Sequence, residues 1–285
     1  FYRGSFQGNL QMVPTAVSQV VEQLLRVGVI LVAASFFHLF SWDVYQTGTL
    51  AMSGALIGGL AAWGILSYYS RKITGRSLAI PTKTMPTAHA PSLRRRFLIE
   101  GGLLTIYSGF LILFQLADSF LMTNSLEASG LTEQSARIAK GIYDRGQPLV
   151  QLGLVVAMAL SSTFLPTLTT YLTAKMYLRL TLGIASASAV GLAILLPYIN
   201  FALFKDGAGN SALVLFVFAV ALMAAIQAYQ SIQQSRNQFR VGIYAAGCGL
   251  LLKGLLTWPL TYLLGTTGAS LSTLLGLIGT LIYFV

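Results

Sequence analysis

The sequence predicts an all-α, polytopic transmembrane helix bundle, and three observations carry that prediction. Apolar residues make up 55% of the 285-residue chain and charged residues only 9%, against about 25% charged in ordinary soluble domains. Mean hydropathy is +0.72. Apolar runs recur along the whole chain, each of roughly 20 residues, enough for a helix to cross a hydrocarbon core of about 30 Å. Helices are the expected solution because lipid offers no partner for an exposed backbone N–H or C=O. The runs are continuous rather than alternating, which argues against a transmembrane barrel.

Eight spans follow, at 13–37, 49–69, 97–122, 147–173, 178–201, 211–231, 241–264 and 268–285. The first holds Glu22 and Arg26 in "SQVVEQLLRVGV", four residues apart and so on one helix face. They form either a self-neutralising pair or a cation available to an anionic ligand, with Glu22 fixing its rotamer. The second span is rich in small residues, Gly54, Gly58 and Gly59, which permit close helix contact. The third carries Asp118 in "LFQLADSFLM", with Glu100 near its inner end beside Arg94, Arg95 and Arg96.

The fourth span follows Asp144 and Arg145 in "GIYDRGQPLV". Pro148 suits a first helical turn, where its missing N–H costs nothing. Two readings stay open there. One is a helix start capped by Asp144; the other is an anion site made of Arg145 and the helix N-terminus. Pro166 in this span and Pro197 in the fifth mark bends, and the small residues from Ala185 to Gly191 point to packing. The sixth span is a plain apolar run. In the seventh, Lys253 lies 12 residues from Val241, roughly 18 Å at 1.5 Å per residue. A side chain of about 6 Å cannot snorkel that far, so the ammonium must look into the bundle. Asp118 is its candidate partner, but the expected boundaries put it about 10 Å nearer the outer face, which argues against direct pairing. The eighth span ends in "LLGLIGTLIYFV" without a polar flank, and Phe1 is not an initiator Met; the chain is therefore expected to be the middle piece of a longer membrane protein.

Residues 70–97 form a basic linker with Arg71, Lys72, Arg76, Lys83, Arg94, Arg95 and Arg96 and no acid, broken by Pro81, Pro86 and Pro91. With that linker cytoplasmic, alternation places 12 basic residues inside and 4 outside, leaving Arg26 and Lys253 within spans. The net charge of +10 then reflects topology and anionic lipid headgroups rather than nucleic acid. An offset of 227 residues aligns Tyr2 with Tyr229, Gln7 with Gln234, Gln11 with Gln238, Leu24 and Leu25 with Leu251 and Leu252, and Arg26 with Lys253. This is the signature of a parallel repeat whose copies enter the membrane from one side.

No catalytic constellation is visible. There is no DxD-like cluster, no Gly-rich phosphate loop and no paired intramembrane histidine. His38 and His89 are too far apart in sequence to suggest a metal site, and the single Cys248 excludes an internal disulfide. Neither an enzyme nor a cofactor is expected.

Two stretches are specific enough to name a family. "YRGSFQGNLQMVPTAVSQVVEQLLRVG" and "YDRGQPLVQLG" with "FLPTLT" resemble the two hallmark segments of polysaccharide exporters of the MOP superfamily. The chain is similar to the YtgP/MurJ-type (MviN-like) lipid II flippases among them. The resemblance implies about fourteen helices in two lobes, of which this chain would carry eight. Residues 1–69 would be the last two helices of the N-lobe, 70–97 the cytoplasmic connector, and 98–285 the six helices of the C-lobe. It implies a bacterial plasma-membrane protein, acting as a monomer, that moves a polyprenyl-pyrophosphate-linked cell-wall precursor outward by alternating access. Cavity cations would hold the pyrophosphate. By motif these are Arg145 with Asp144 and Gln147 beside it, and, as repeat-related cations, Arg26 with Glu22, and Lys253. Some members bind sodium. Asp118 would supply one ligand, but Lys253 occupies the other helix without an Asp or Asn beside it, so membrane potential or protons are the expected drive. The alternatives are an exporter of another polysaccharide precursor, a cation-coupled drug exporter, or, in a different class, a membrane enzyme or scaffold of wall assembly.

Overall fold

The computed structural model describes residues 2–8, 11–74, 101–102, 105, 109–164, 171–236 and 238–284. Among these it has no strand and eleven α-helices: α1 (Tyr2–Gly8), α2 (Met12–Phe40), α3 (Val44–Thr74), α4 (Phe110–Ala128), α5 (Glu133–Asp144), α6 (Gly146–Phe164), α7 (Tyr171–Phe204), α8 (Asn210–Val217), α9 (Ala219–Ser235), α10 (Phe239–Leu264) and α11 (Thr266–Phe284). Among the described residues, six stretches are long and apolar enough to cross a membrane: Val13–Phe40, Val44–Lys72, Tyr171–Phe204, Asn210–Ser235, Arg240–Leu264 and Thr266–Phe284. The all-helical, polytopic class is as expected. The other two expected spans fall on α4 and α6 and on neighbours outside the described residues. So do His89, Glu100, Pro166 and most of the 70–97 linker, whose first residues continue α3 to Thr74.

The chain divides into two units, Phe1–Ala90 and Pro91–Val285. In the first, α1 folds back on α2, with the Gln11 N–H donating to the Phe6 carbonyl at 2.8 Å. A turn at Ser41, in the left-handed region with φ 51°, leads into α3, where the Asp43 carboxylate accepts from the Tyr45 N–H at 3.3 Å. α3 buries Gly54, Gly58, Ala62, Leu66 and Ser70, one residue in every four, a ridge for i±4 packing. A Cβ on Gly58 would lie 2.7 Å from the Glu22 carbonyl oxygen, and one on Gly54 would lie 3.2 Å from that of Arg26. Only glycine lets the two backbones approach so closely. In lipid, where apolar burial between helices gains little, such close packing drives association.

The second unit closes with a hairpin of the same kind. On the 227-residue offset the first residue of α2, Met12, maps onto the first residue of α10, Phe239. Glu22 maps onto Gly249, and it is against the Gly249 carbonyl that Gly276 of α11 packs, its added Cβ meeting that oxygen at 3.0 Å. Hydroxyls add interhelical hydrogen bonds. Ser270 Oγ donates to the Ala212 carbonyl at 2.7 Å and Ser125 Oγ to that of Trp258 at 2.6 Å, each worth about 0.6 kcal/mol in membranes. Phe114, Met122, Leu126, Leu154, Leu213 and Leu277 form the apolar centre.

Two details position the site. First, α4 runs to Ala128, six residues beyond the expected end of its span, and turns through Gly130 (φ 103°) to Thr132, whose hydroxyl accepts from the Ser135 N–H and caps α5. Second, no helix starts at Asp144. The residue ends α5, and Arg145 alone separates α5 from α6 while keeping helical dihedrals (φ −58°, ψ −25°). Pro148 explains the break, because it lacks an N–H and its ring clashes with the carbonyl four residues back, that of Asp144. The cap expected from Asp144 is thus corrected, while α6 begins at Gly146 with Pro148 in its first turn. Asp144 instead accepts from Lys140 Nζ at 2.6 Å and Gln147 Nε2 at 3.1 Å.

Candidate functional site

The ionisable side chains expected to matter fall into three clusters. In the first unit, Arg3 Nη2 lies 2.6 Å from one Glu22 oxygen, and Arg26 Nη2 lies 3.3 Å from the other. Arg3 Nε also donates to Ser18 Oγ at 3.2 Å. The i,i+4 spacing on α2 aligns Glu22 with Arg26, and the fold-back of α1 delivers Arg3. One carboxylate therefore serves two guanidiniums, and the trio keeps a net charge of +1. Both arginines are about one-third exposed (33% and 37%) against 17% for Glu22. Arg26 Nε is buried without a partner among the described residues. Arg3 was not singled out from the sequence as a site residue; its place in the quoted Arg-Gly segment was the available signal.

The second cluster lies deep in the second unit. Lys253 is fully buried, and its Nζ donates to Asp118 Oδ1 and to Thr273 Oγ1, both at 2.7 Å. Tyr143 Oη donates to Asp118 Oδ2 at 3.2 Å and sits equally far from Thr273 Oγ1. The Phe114 ring lies 5.5 Å from the ammonium. The inward view expected for Lys253 holds, but the argument against its pairing with Asp118 is corrected. The extra residues of α4 sink Asp118 by roughly 9 Å at 1.5 Å per residue. It then stands ten residues from the end of α4, and Lys253 eleven from the end of α10. Carboxylate, ammonium and hydroxyls satisfy one another, which is what a charge pair at this depth requires.

The third cluster surrounds Arg145. Its guanidinium forms a bidentate pair with Asp206 at 2.6 and 3.1 Å, donates to Asn200 Oδ1 at 3.3 Å and lies 4.1 Å from the Phe204 ring centroid. Asn200 Nδ2 continues the network to the Ala208 carbonyl and Asn210 Oδ1. Arg145 thus ties the break before α6 to the loop between α7 and α8. The hydrogen bond from Arg145, ahead of that from the Ala208 N–H, holds the Asp206 carboxyl below its ordinary range. No group of three or more metal-type ligands occurs among the described residues.

These clusters are not equivalent. Asp118 balances Lys253, and Asp206 balances Arg145, while Asp144 is engaged by Lys140 and Gln147. Among the described residues, Glu22 alone is outnumbered by its cations.

Residues 1–172 match a family described as polysaccharide biosynthesis protein. The chain is 31% identical over 281 residues, 95% of its length and 52% of the relative's, to the protein named "Uncharacterized membrane protein YabM" of Bacillus subtilis (strain 168). It is 27% identical over 300 residues, 99% of its length and 55% of the relative's, to "Lipid II flippase MurJ" of the same organism. The chain spans about half the length of the curated relatives it matches. No solved structure matches it.

Proposed function

The chain belongs to the polysaccharide biosynthesis protein family, and from that premise we propose that it is part of a flippase or exporter for a polyprenyl-pyrophosphate-linked glycan. It is a multi-pass protein of the bacterial plasma membrane. Lipid II is the leading substrate, because a relative named for that activity aligns over nearly the whole chain. The relative of higher identity bears no substrate in its name, so a sibling precursor is the second reading.

One observation carries the proposal: Arg3 and Arg26 share the single Glu22 carboxylate and remain a third exposed. A scaffold would gain nothing from a net cation set among membrane helices, where each uncompensated charge costs a few kcal/mol. A pyrophosphate can accept from both guanidiniums at once, since planar forks suit anionic oxygens. The same excess of positive charge repels a lipophilic cation, which disfavours the drug-exporter alternative. Glu22 keeps the guanidiniums apart and aligned until the anion arrives. Arg145 and Lys253, paired as they are here, would serve a different conformational state or the architecture itself.

The test is lipid flipping by the full-length protein in vesicles, comparing lipid II with teichoic-acid and capsule precursors. Arg26→Ala and Arg3→Ala are each expected to lower the rate about tenfold, the equivalent of roughly 1.4 kcal/mol of lost charge-assisted bonding. A double variant that flips at the wild-type rate would remove the trio from the mechanism.

A further inference from the structure

Three consecutive residues, at the end of α5 and in the break after it, reach three different sets of partners. Tyr143 is fully buried, and its hydroxyl joins the Asp118–Lys253 pair through Asp118 Oδ2 and Thr273 Oγ1, each 3.2 Å away. Arg145, two residues on, holds Asp206 in the loop between α7 and α8 at 2.6 and 3.1 Å. At 3.6 residues per turn, side chains two apart point about 200° from each other. One side of the segment thus grips the buried pair, and the opposite side grips the loop. Asp144, between them, accepts from Lys140 of α5 and from Gln147 of α6. It splints the two helices where Pro148 denies the backbone ladder an N–H.

The segment has no slack. A Cβ added to Gly146 would lie 2.7 Å from Phe216 Cδ1, and one added to Gly209, at φ 72°, would lie 2.5 Å from Ile142 Cγ2. The Phe216 ring centroid is 5.1 Å from that of Tyr143. Side chains packed this closely pass a displacement on rather than absorb it.

From this arrangement we infer that residues 143–145 are a mechanical link: the intact Asp118–Lys253 pair keeps the 205–209 loop closed on Arg145, and rearrangement of the pair opens it. The pair fixes the Tyr143 hydroxyl, and a fixed Tyr143 sets the rotation of the segment. That rotation in turn aims Arg145 at Asp206. Twisting the segment to free one side chain carries the other away from its partner. By linkage the effect runs both ways, so opening the loop loosens the hold on the pair. By the positive-inside rule the 205–209 loop lies at the outer face. The link therefore joins charge buried among the membrane helices to the outer surface, whatever the cargo, and Tyr143 acts in it as a positioning residue.

The test is amide exchange, read by mass spectrometry on the full-length protein in nanodiscs at neutral pH. It follows Ala208, whose N–H donates to Asp206 Oδ1 at 3.1 Å. Tyr143→Phe keeps the ring and loses the hydroxyl. Asp118→Leu with Lys253→Met removes the pair as a neutral set. Each is expected to speed Ala208 exchange about tenfold, a usual size for coupling between sites. All these substitutions together should do no more than either variant alone, since both act through one contact. The Gln238 amide, bonded to the Gln233 carbonyl at 2.9 Å at the start of α10, should keep its wild-type rate throughout. Unchanged Ala208 exchange in either variant overturns the inference. Equal acceleration at Gln238 also overturns it, because the unit has then loosened as a whole. So does an effect of about a hundredfold in the combined variant, because the two sites then act independently.

Discussion

Lys253 shows what makes a charge tolerable at mid-membrane. Its ammonium meets a carboxylate, a hydroxyl and an aromatic face, so little desolvation goes uncompensated. Breaking one side of such a pair is costly, about 3–5 kcal/mol, whereas replacing both partners by apolar groups is often neutral. Asp118→Leu is therefore expected to lower the melting temperature in detergent sharply, and Asp118→Leu with Lys253→Met to recover most of the loss. A double variant as unstable as the single would show that the pair does more than neutralise itself. The sequence told that Lys253 looks inward, because side-chain reach is simple arithmetic. Its partner was hidden, because the depth of Asp118 depends on where α4 ends. That end is set by a turn at Gly130 and Thr132 that apolar periodicity does not report. Arg3 was obscured for a related reason: a residue on a short fold-back helix meets Glu22 only in three dimensions.

At the level of elements, the glycines of α3 are the sharpest case. The sequence offered Gly54, Gly58 and Gly59 alike as packing residues; Gly54 and Gly58 pack on α2, while an added Cβ on Gly59 meets nothing. The difference is one of face, and hydropathy alone does not assign faces in a helix that is apolar all round. Gly58→Val is expected to destabilise the α2–α3 hairpin, and Gly59→Ala to be silent, as read by thermal unfolding of the two variants side by side. In the segment around Arg145, Pro148 stands in the first turn of α6 as its residue type suggests, but the helix α5 that runs up to Asp144 ahead of it was not read from the sequence. The Arg145 clamp on the 205–209 loop has a defined pH response. A carboxyl lowered by Arg145 contributes fully above the ordinary carboxylate range and is lost only as pH falls through its lowered value. Exchange of the Ala208 and Asn210 amides, corrected for intrinsic rates, should stay constant from pH 8 to 5 and rise only below about 4. In Asp206→Asn it should be fast throughout.

Across the whole molecule, the bias of basic residues gives the most direct prediction. In full-length protein carrying Cys248→Ser, Lys205→Cys should react with an impermeant maleimide in intact cells. Arg236→Cys should react only after permeabilisation. The reverse pattern would invert the topology. Fold class was readable because composition and continuous apolar runs survive without tertiary detail. The unequal balance of the charge clusters has one more consequence, an electrical one. Asp118 and Lys253 are bonded to each other and sum to zero, so a transmembrane voltage does no net work on them when they move together. The Arg3–Glu22–Arg26 trio, with its surplus charge, would exchange up to about 2.3 kcal/mol per 100 mV if it crossed the full field. Occupied by a diphosphate, the same trio would carry charge of the opposite sign, so the voltage would favour travel in opposite directions for the empty and loaded states.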